Sequence, residues 1–551
     1  MCGIFCFKGI NKTHNILDSL KKLEYRGYDS CGIVYYDKLL HLDKVVGGVD
    51  ELKKKVINTE ISLALSHTRW ATHGSVSLKN SHPHYSHDKK VYLVHNGIID
   101  NAQVLKETYI PNVKNYGETD SEILANLISD FLDRFNPIEA INKLIDILEG
   151  TYAICFIISG DDKIYYLKDK SPLVIGKSRD NIYISSDLYS LPSEVYQYMN
   201  VANKDYGFIS DIVYCNTGER FLDFDINSNQ DDSPGYKMKL EIEEEPELID
   251  DLVDYVNNLC DDKKNIFMKY NSLLIVGSGS SYYAGIYIKR MYEEIYKKHA
   301  YVYLASELNF KLPVIDDDTL VLLISQSGET IDIIDSCEKL KKYKKILFTN
   351  NVFSTLANQV DIVFDICAKK EYGVAATKTF NQTVLLAYLL FTKNTSFQSE
   401  EVYSYKLRLQ DIVKEDIDIE KLVKSKKIFY IGVGYDYIAT LEGALKLKEI
   451  TYIPCEGYSA SELKHGTLSL IDSDTTVIAI SSNYKSNLIT TLSEVQSRQG
   501  MVMYIKEDRY LPYLGALLLI TRLQLIAYKL AIIKGLDPDR PRNLAKCVTV
   551  R

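Results

Sequence analysis

Residues 273–279 read LLIVGSG and residues 320–330 read LVLLISQSGET; farther along, residues 428–434 read IFYIGVG and residues 476–486 read TVIAISSNYKS. Each is an apolar run of strand length that stops at Gly or Ser, and long helical stretches separate them. That is the pattern of strands buried on both faces of a parallel sheet. The second pair repeats the first: Gly277 and Gly432 lie 155 positions apart, Ile324 and Ile480 156. Two tandem α/β subdomains of one flavodoxin-like fold are expected, over residues 248–400 and 401–551.

Upstream the character changes. Residues 227–247, NSNQDDSPGYKMKLEIEEEPE, are polar, carry Pro234 and Gly235 and end in an acidic run, so they read as a linker. Before them, over residues 2–226, short β-branched and aromatic runs such as VYLVHNGII, TYAICFIIS and KIYYLKD are bounded by Gly, Asn and Asp, with a helical stretch at 120–135. An antiparallel α+β domain is expected there.

A chain of 551 residues with 46% hydrophobic and 25% charged residues has the composition of an ordinary globular protein of several folding units, which excludes global disorder. Lys+Arg 65 against Asp+Glu 74 gives a net charge of −9, leaving no cationic surplus for a nucleic-acid backbone. The most apolar stretch, 513–521, is bounded by Pro512 and Arg522 and falls short of the ~20 residues of a membrane span, so it reads as a buried helix. The N-terminal MCGIFCFKGI lacks the pattern of a secretory signal, and a cytoplasmic location is expected. Ten cysteines without a CxxC pair point to reduced thiols, with no disulfide framework and no zinc; no cofactor is expected.

Cys2 stands apart. Removal of Met1 would leave a thiol and a free α-amine on one residue, and an amine of pKa near 8 serves as the thiol's own general base. Such a nucleophile needs oxyanion donors and groups that hold an α-amino acid. Candidates come in four blocks: YRGYDS at 25–30, HTRWATHG at 67–74, VHNGIIDN at 94–101 and GETDSE at 117–122. With MCGI these resemble the class II glutamine amidotransferase domain, an N-terminal-nucleophile glutaminase with an αββα sandwich. The resemblance implies that Cys2 attacks the glutamine amide, with Asn96 and Gly97 as the oxyanion hole. Arg69 would bind the substrate carboxylate and Asp120 its ammonium group, with Trp70, Thr72 and His73 in the glutamine-covering segment and Arg26 near the nucleophile. His67, His82, His84 and His87 are irregularly spaced on what reads as a polar loop, which favours ordinary hydrogen bonding over a metal.

In the first α/β repeat, GSGSSYYAG at 277–285 and SQSGET at 325–330 each follow an apolar strand and open a helix, where backbone amides and short hydroxyls suit a phosphate. The wording resembles the sugar isomerase (SIS) domain, which implies phosphate contacts from Ser281, Ser325, Gln326, Ser327 and Thr330. By the same resemblance Val374 and Ala375 of EYGVAATKTF (371–380) line the sugar, and Ala376 stands where many members have serine. The second repeat lacks a QSGET loop but carries reactive side chains. In EGALKLKEI (442–450), Lys446 and Glu449 share a helix face; in ELKHGTLSLID (462–472), His465 precedes Gly466; in the tail RPRNLAKCVTVR (540–551), Lys546 sits among small and apolar neighbours, which can make a lysine nucleophilic.

All these blocks resemble the glucosamine-6-phosphate synthase family from Cys2 to the last residues. The resemblance implies that Lys546 forms a Schiff base with open-chain fructose 6-phosphate, Glu449 moves a proton between C1 and C2 with Lys446 assisting, and His465 from a second copy in a homo-oligomer helps open the ring. Trp70 and Ala545 would line a path for ammonia between the two sites. A deglycase or isomerase, or a sugar-phosphate sensor, are the alternatives; the intact Cys2, Arg69, Asn96 and Asp120 set speaks against the first and the intact Glu449 and Lys546 against the second.

Overall fold

The computed structural model describes residues 2–70, 74–218, 221–223, 235–393, 398–482, 488–544 and 546. The chain divides into a first unit up to residue 232 and a second from 233 to 546.

In the first unit, strand β1 (Gly3–Lys12) pairs antiparallel with β2 (Glu60–Arg69) near the middle of a sheet that has eight strands among the described residues. Strand β3 (Val91–Ile99) pairs antiparallel with β4 (Gly150–Ile158) in a second, six-stranded sheet. Alternation along the strands explains the layering. Ile4, Cys6 and Leu65 of the first sheet meet Val94, Ala153 and Cys155 of the second in one buried cluster. The opposite faces are apolar too and take helices: Phe5, Phe7 and Ala64 pack on the helix Thr13–Lys21, and Leu93, Ile154 and Phe156 on helix α1 (Asp120–Leu132). The result is the expected αββα sandwich.

The second unit begins with helix α2 (Lys237–Asn258), so the expected linker needs correction. From Lys237 onward it is helical, because Met238, Ile242, Ile249 and Leu252 recur at helical spacing and are fully or almost fully buried. Residues 227–234 lie outside the described residues.

Strand β5 (Ser272–Gly277) leads into helix α3 (Ser280–Tyr296), and β6 (Thr319–Ile324) pairs in parallel with β5. They lie inside a five-stranded parallel sheet in the order His299–Leu304, β5, β6, Lys344–Thr349, Ile362–Asp365. Helix α4 (Lys378–Thr392) is buried along its whole length. The second repeat has β7 (Lys427–Gly432), helix α5 (Tyr435–Thr451) and β8 (Thr475–Ser481) in a four-stranded parallel sheet of the same order, Cys455–Ser459, β7, β8, Met501–Lys506. The repeated pattern in the sequence is therefore a repeated fold, in which the second strand crosses to the outside of the first and opens a crevice at the carboxyl ends of the central pair. The helix Gln398–Ile412 runs across the expected division at 400/401, and both repeats contribute to one core cluster. Helix α6 (Gly515–Ile533) is long and apolar enough to cross a membrane by length and composition, yet 78% of its apolar window is buried, and Leu517 to Ile520 are completely enclosed. The apolar stretch at 513–521 is its beginning.

Candidate active site

In the first unit Cys2 immediately precedes β1. The Trp70 amide donates to its Sγ at 3.3 Å, and its carbonyl accepts from Arg26 Nε and Asn96 Nδ2, both at 3.1 Å. Sheet pairing explains the convergence. Cys2 sits at the end of β1, Trp70 follows β2, and Asn96 lies on β3 of the facing sheet. Burial pushes the Cys2 thiol up, while the chain's amino group, the Trp70 amide, Arg69 and Arg26 oppose that shift. Arg26 is buried and also donates to the Ser186 carbonyl at 3.2 Å.

Gly97 has φ +127°, and a Cβ there would lie 1.9 Å from the Thr151 carbonyl oxygen, so glycine alone fits beside Asn96. Arg69, the last residue of β2, is 3% exposed; its Nη1 donates to the Ser75 carbonyl at 3.4 Å, and burial pulls its pKa down. Asp120 opens α1 and accepts from the Ile99 and Ser121 amides at 3.0 and 2.8 Å, which fixes the carboxylate at the end of β3. Trp70 is half-buried, edge-on to Tyr28 at 5.8 Å between ring centroids. Thr72 and His73 lie outside the described residues.

Three of the histidines noted in the sequence differ from expectation, whereas His87 is exposed in a turn. His67 and His84 are on strands, and with His82 and His95 they are buried rather than placed on a polar loop. His67 and His82 stack at 4.0 Å, and His82 meets His84 edge-on at 4.6 Å. Burial pushes all four pKa values down, His67 to about 3. His84 Nε2 is 3.0 Å from Thr119 Oγ1, and His87 Nδ1 is 3.3 Å from Asn126 Oδ1. No metal-ligating group occurs among the described residues.

In the second unit Ser281 lies in the first turn of α3, and Ser325, Gln326, Ser327 and Thr330 follow β6, the adjacent strand. The loop holds itself open: the Gly328 amide donates to Ser325 Oγ at 3.0 Å, the Glu329 amide to Ser327 Oγ at 3.1 Å, and Thr330 is the N-cap residue of the helix Ile331–Lys339. Val374, Ala375 and Ala376 lie in the segment before α4, which is fastened by the Val374 amide to the Asp539 carbonyl at 3.1 Å. Glu241 of α2 accepts from the Tyr372 and Gly373 amides, the latter at 3.1 Å.

Lys446 lies on the buried side of α5. It is 1% exposed, with Nζ 2.9 Å from Glu449 and 3.4 Å from Glu442, and it donates to Ser280 Oγ at 3.0 Å. Ser280 in turn donates to Glu442 Oε1 at 2.9 Å, so the start of α3 is bonded to α5. Burial raises the Glu442 carboxyl to about 7 against the pull of Lys446; the lysine's own pKa is raised, because the two carboxylates outweigh its desolvation. His465 closes a short 3₁₀ helix, Glu462–His465, and is exposed.

Lys546 is not surrounded by small apolar groups: its Nζ donates to the Glu371 carboxylate and, at 2.6 Å, to the Gly373 carbonyl. Glu371 is buried; burial raises its pKa, but Lys546 and bonds from Thr377 and Thr379 outweigh that and leave it lowered. Ala545 lies outside the described residues. Glu442, Ser280 and Glu371 were missed by sequence reasoning. Glu442 stands one turn before Lys446 and Glu371 opens the quoted sugar segment, so spacing could have raised both.

The glutamine amidotransferase domain family matches residues 67–193, and the SIS domain family matches residues 266–393 and 421–507. The glutamine–fructose-6-phosphate aminotransferase (isomerizing) of Streptococcus agalactiae is 34% identical over 604 aligned residues covering 100% of both chains, and that of Clostridium acetobutylicum 32% over 614, again covering both completely. The solved C-terminal domain of glucosamine-fructose-6-phosphate aminotransferase from Francisella tularensis is 29% identical, with a TM-score of 0.50, and covers 57% of this chain and 100% of that domain. The chain belongs to the glutamine–fructose-6-phosphate aminotransferase (isomerizing) family.

Proposed function

We propose that this chain transfers the amide nitrogen of glutamine to fructose 6-phosphate, yielding glucosamine 6-phosphate and glutamate. Once Met1 is removed, the Cys2 amine takes the thiol proton and the thiolate attacks the glutamine side-chain amide. Asn96 and the Gly97 amide stabilise the oxyanion, Arg69 and Asp120 hold the substrate's carboxylate and ammonium, and Trp70, Thr72, His73 and Arg26 enclose it. Ammonia leaves, and water hydrolyses the thioester to glutamate.

In the sugar half, Ser281, Ser325, Gln326, Ser327 and Thr330 hold the phosphate and Val374 and Ala375 line the sugar. Lys546 forms an imine with the C2 carbonyl, releasing water. Ammonia displaces the lysine from C2, Glu449 moves a proton from C1 to C2 with Lys446 beside it, and the ketose imine becomes the 2-amino aldose. The water spent on the thioester balances the water released at C2. His465 acts on the ring from a second copy of the chain, consistent with its exposure here, and ammonia passes between the sites past Trp70 and Ala545. The substrates are small molecules, and we infer a cytoplasmic homo-oligomer whose chain has a glutaminase part, residues 2–226, followed by two SIS parts, the first taking in α2 from Lys237 and the two joined through the helix Gln398–Ile412.

The observation that supports this most is the seat of Lys546, whose Nζ is bonded to Glu371 and Gly373 within the sugar segment. The test is transfer from amide-labelled glutamine in the presence of excess unlabelled ammonium. Label retained in the amino sugar supports a closed path; label diluted to the bulk value contradicts it.

A further inference from the structure

Behind the nucleophile, a backbone carbonyl dictates the state of a histidine, and the histidine dictates the orientation of an amide. His67 Nε2 lies 3.1 Å from the His95 carbonyl oxygen and 3.1 Å from Asn96 Oδ1. A carbonyl oxygen can only accept, so the ring proton sits on Nε2. That N–H then faces the Asn96 side chain, where only Oδ1 can receive it; the reversed amide would set donor against donor there and, at its other end, oxygen against the oxygen of Cys2. Asn96 Nδ2 is thereby turned to the Cys2 carbonyl at 3.1 Å.

The ring has little freedom to do otherwise. His67 is completely buried on β2 with His82 stacked on its face at 4.0 Å. Burial keeps it neutral, so no second ring proton competes with this arrangement at ordinary pH.

We propose that His67 is a positioning residue for glutamine hydrolysis, its Nε2–H holding the Asn96 amide with the NH₂ group toward Cys2, on the side where the oxyanion forms. This rests on the proposed role of Asn96 as an oxyanion donor. With glutamine and fructose 6-phosphate both supplied, the test compares the full-length wild type with His67→Gln, which returns a side-chain N–H near the position of Nε2, and with His67→Phe, which keeps an aromatic ring but no donor. In His67→Phe, kcat for glutamate release is expected to fall roughly ten- to hundredfold, short of the ~10²–10³ lost with a whole oxyanion donor. KM for glutamine and the alkylation rate of Cys2 should stay unchanged, and His67→Gln should restore most of kcat. Placing His67→Phe in an Asn96→Ala background should cost nothing further.

Should His67→Phe fold poorly, His67→Asn, whose shorter amide does not reach Asn96, takes its place against His67→Gln with the same expectation. Full kcat without the donor, equal loss in the Gln variant, additive loss with Asn96→Ala, or a change in KM alone would overturn the proposal while leaving the assigned reaction intact. A wild type that releases no glutamate would overturn both.

Discussion

The two α/β repeats share the strand order of their sheets apart from one extra edge strand in the first, yet their strand ends are chemically opposite. Gly279 and Gly434 precede helices α3 and α5 with φ +55° and +69°, and both helices are 17 residues long. At the position after the first helical residue the first repeat has Ser281 and the second has Asp436. The Asp436 carboxylate accepts from the Ser482 amide at 3.0 Å and from Ser482 Oγ at 2.5 Å, in the loop that corresponds to Gln326. The second repeat thus meets its strand-end donors with a carboxylate of its own, whereas the first leaves short hydroxyls at the end of its central strands. One duplicated scaffold presents short hydroxyls at the strand ends of one repeat and carries acid and base groups on the helix of the other, the buried Glu442 and Lys446 and the partly exposed Glu449. On the proposed function, the first repeat binds and the second reacts.

The sharpest way to break that division is to remove the reacting groups. Lys546→Ala and Glu449→Gln are expected to lower glucosamine 6-phosphate formation by roughly 10²–10⁴-fold, the range for a positioned acid or base, with little change in fructose 6-phosphate binding by calorimetry. Retention of more than a few per cent of the rate would remove the residue from its assigned role.

Next in size, Ser325→Ala and Ser327→Ala should raise KM for fructose 6-phosphate by about tenfold or more each, because a hydrogen bond to a charged group contributes about 1.5–3 kcal/mol. A fall in kcat with KM unchanged would assign chemistry to the binding repeat.

Stability should respond to pH through the buried carboxyls of the second unit. Burial raises Glu245 to about 8 and Glu241 and Glu442 to about 7. Between pH 5 and 8 the folded chain keeps protons that the unfolded chain has released, so each group lowers stability by up to about 1.4 kcal/mol per pH unit as pH rises. Calorimetry should show the second unit melting lower at pH 8.5 than at pH 6; the reverse slope would contradict these burials.

The smallest effect separates the repeats most finely. Asp436→Asn should leave KM for fructose 6-phosphate as it is, and a rise like that of the serine variants would mean that the second strand end also serves the phosphate.

The parallel strands were legible because both faces of each are buried, which leaves apolar runs that no solvent face interrupts. The αββα sandwich came from resemblance, since short alternating strands fix neither the order nor the number of layers. What stayed hidden depended on partners distant in the chain. The acidic run on α2 reads as a solvated linker, yet Glu241 and Glu245 are buried because amides at 372 and 373, Asn381 and Thr521 receive them. Lys546 meets Glu371 175 positions away. The histidine stack was hidden for the same reason: His67 on one sheet and His84 on the other, with His82 between them, come together only in the sandwich of two sheets.

The central claim is that one chain joins glutamine hydrolysis to amination of a sugar phosphate. The direct measurement supplies Met-processed protein with glutamine and fructose 6-phosphate and quantifies glutamate and glucosamine 6-phosphate together. Equal yields, with almost no glutamate when the sugar is absent, are predicted. Glutamate without amino sugar would contradict the account and withdraw the roles given to Glu449, His465 and Lys546.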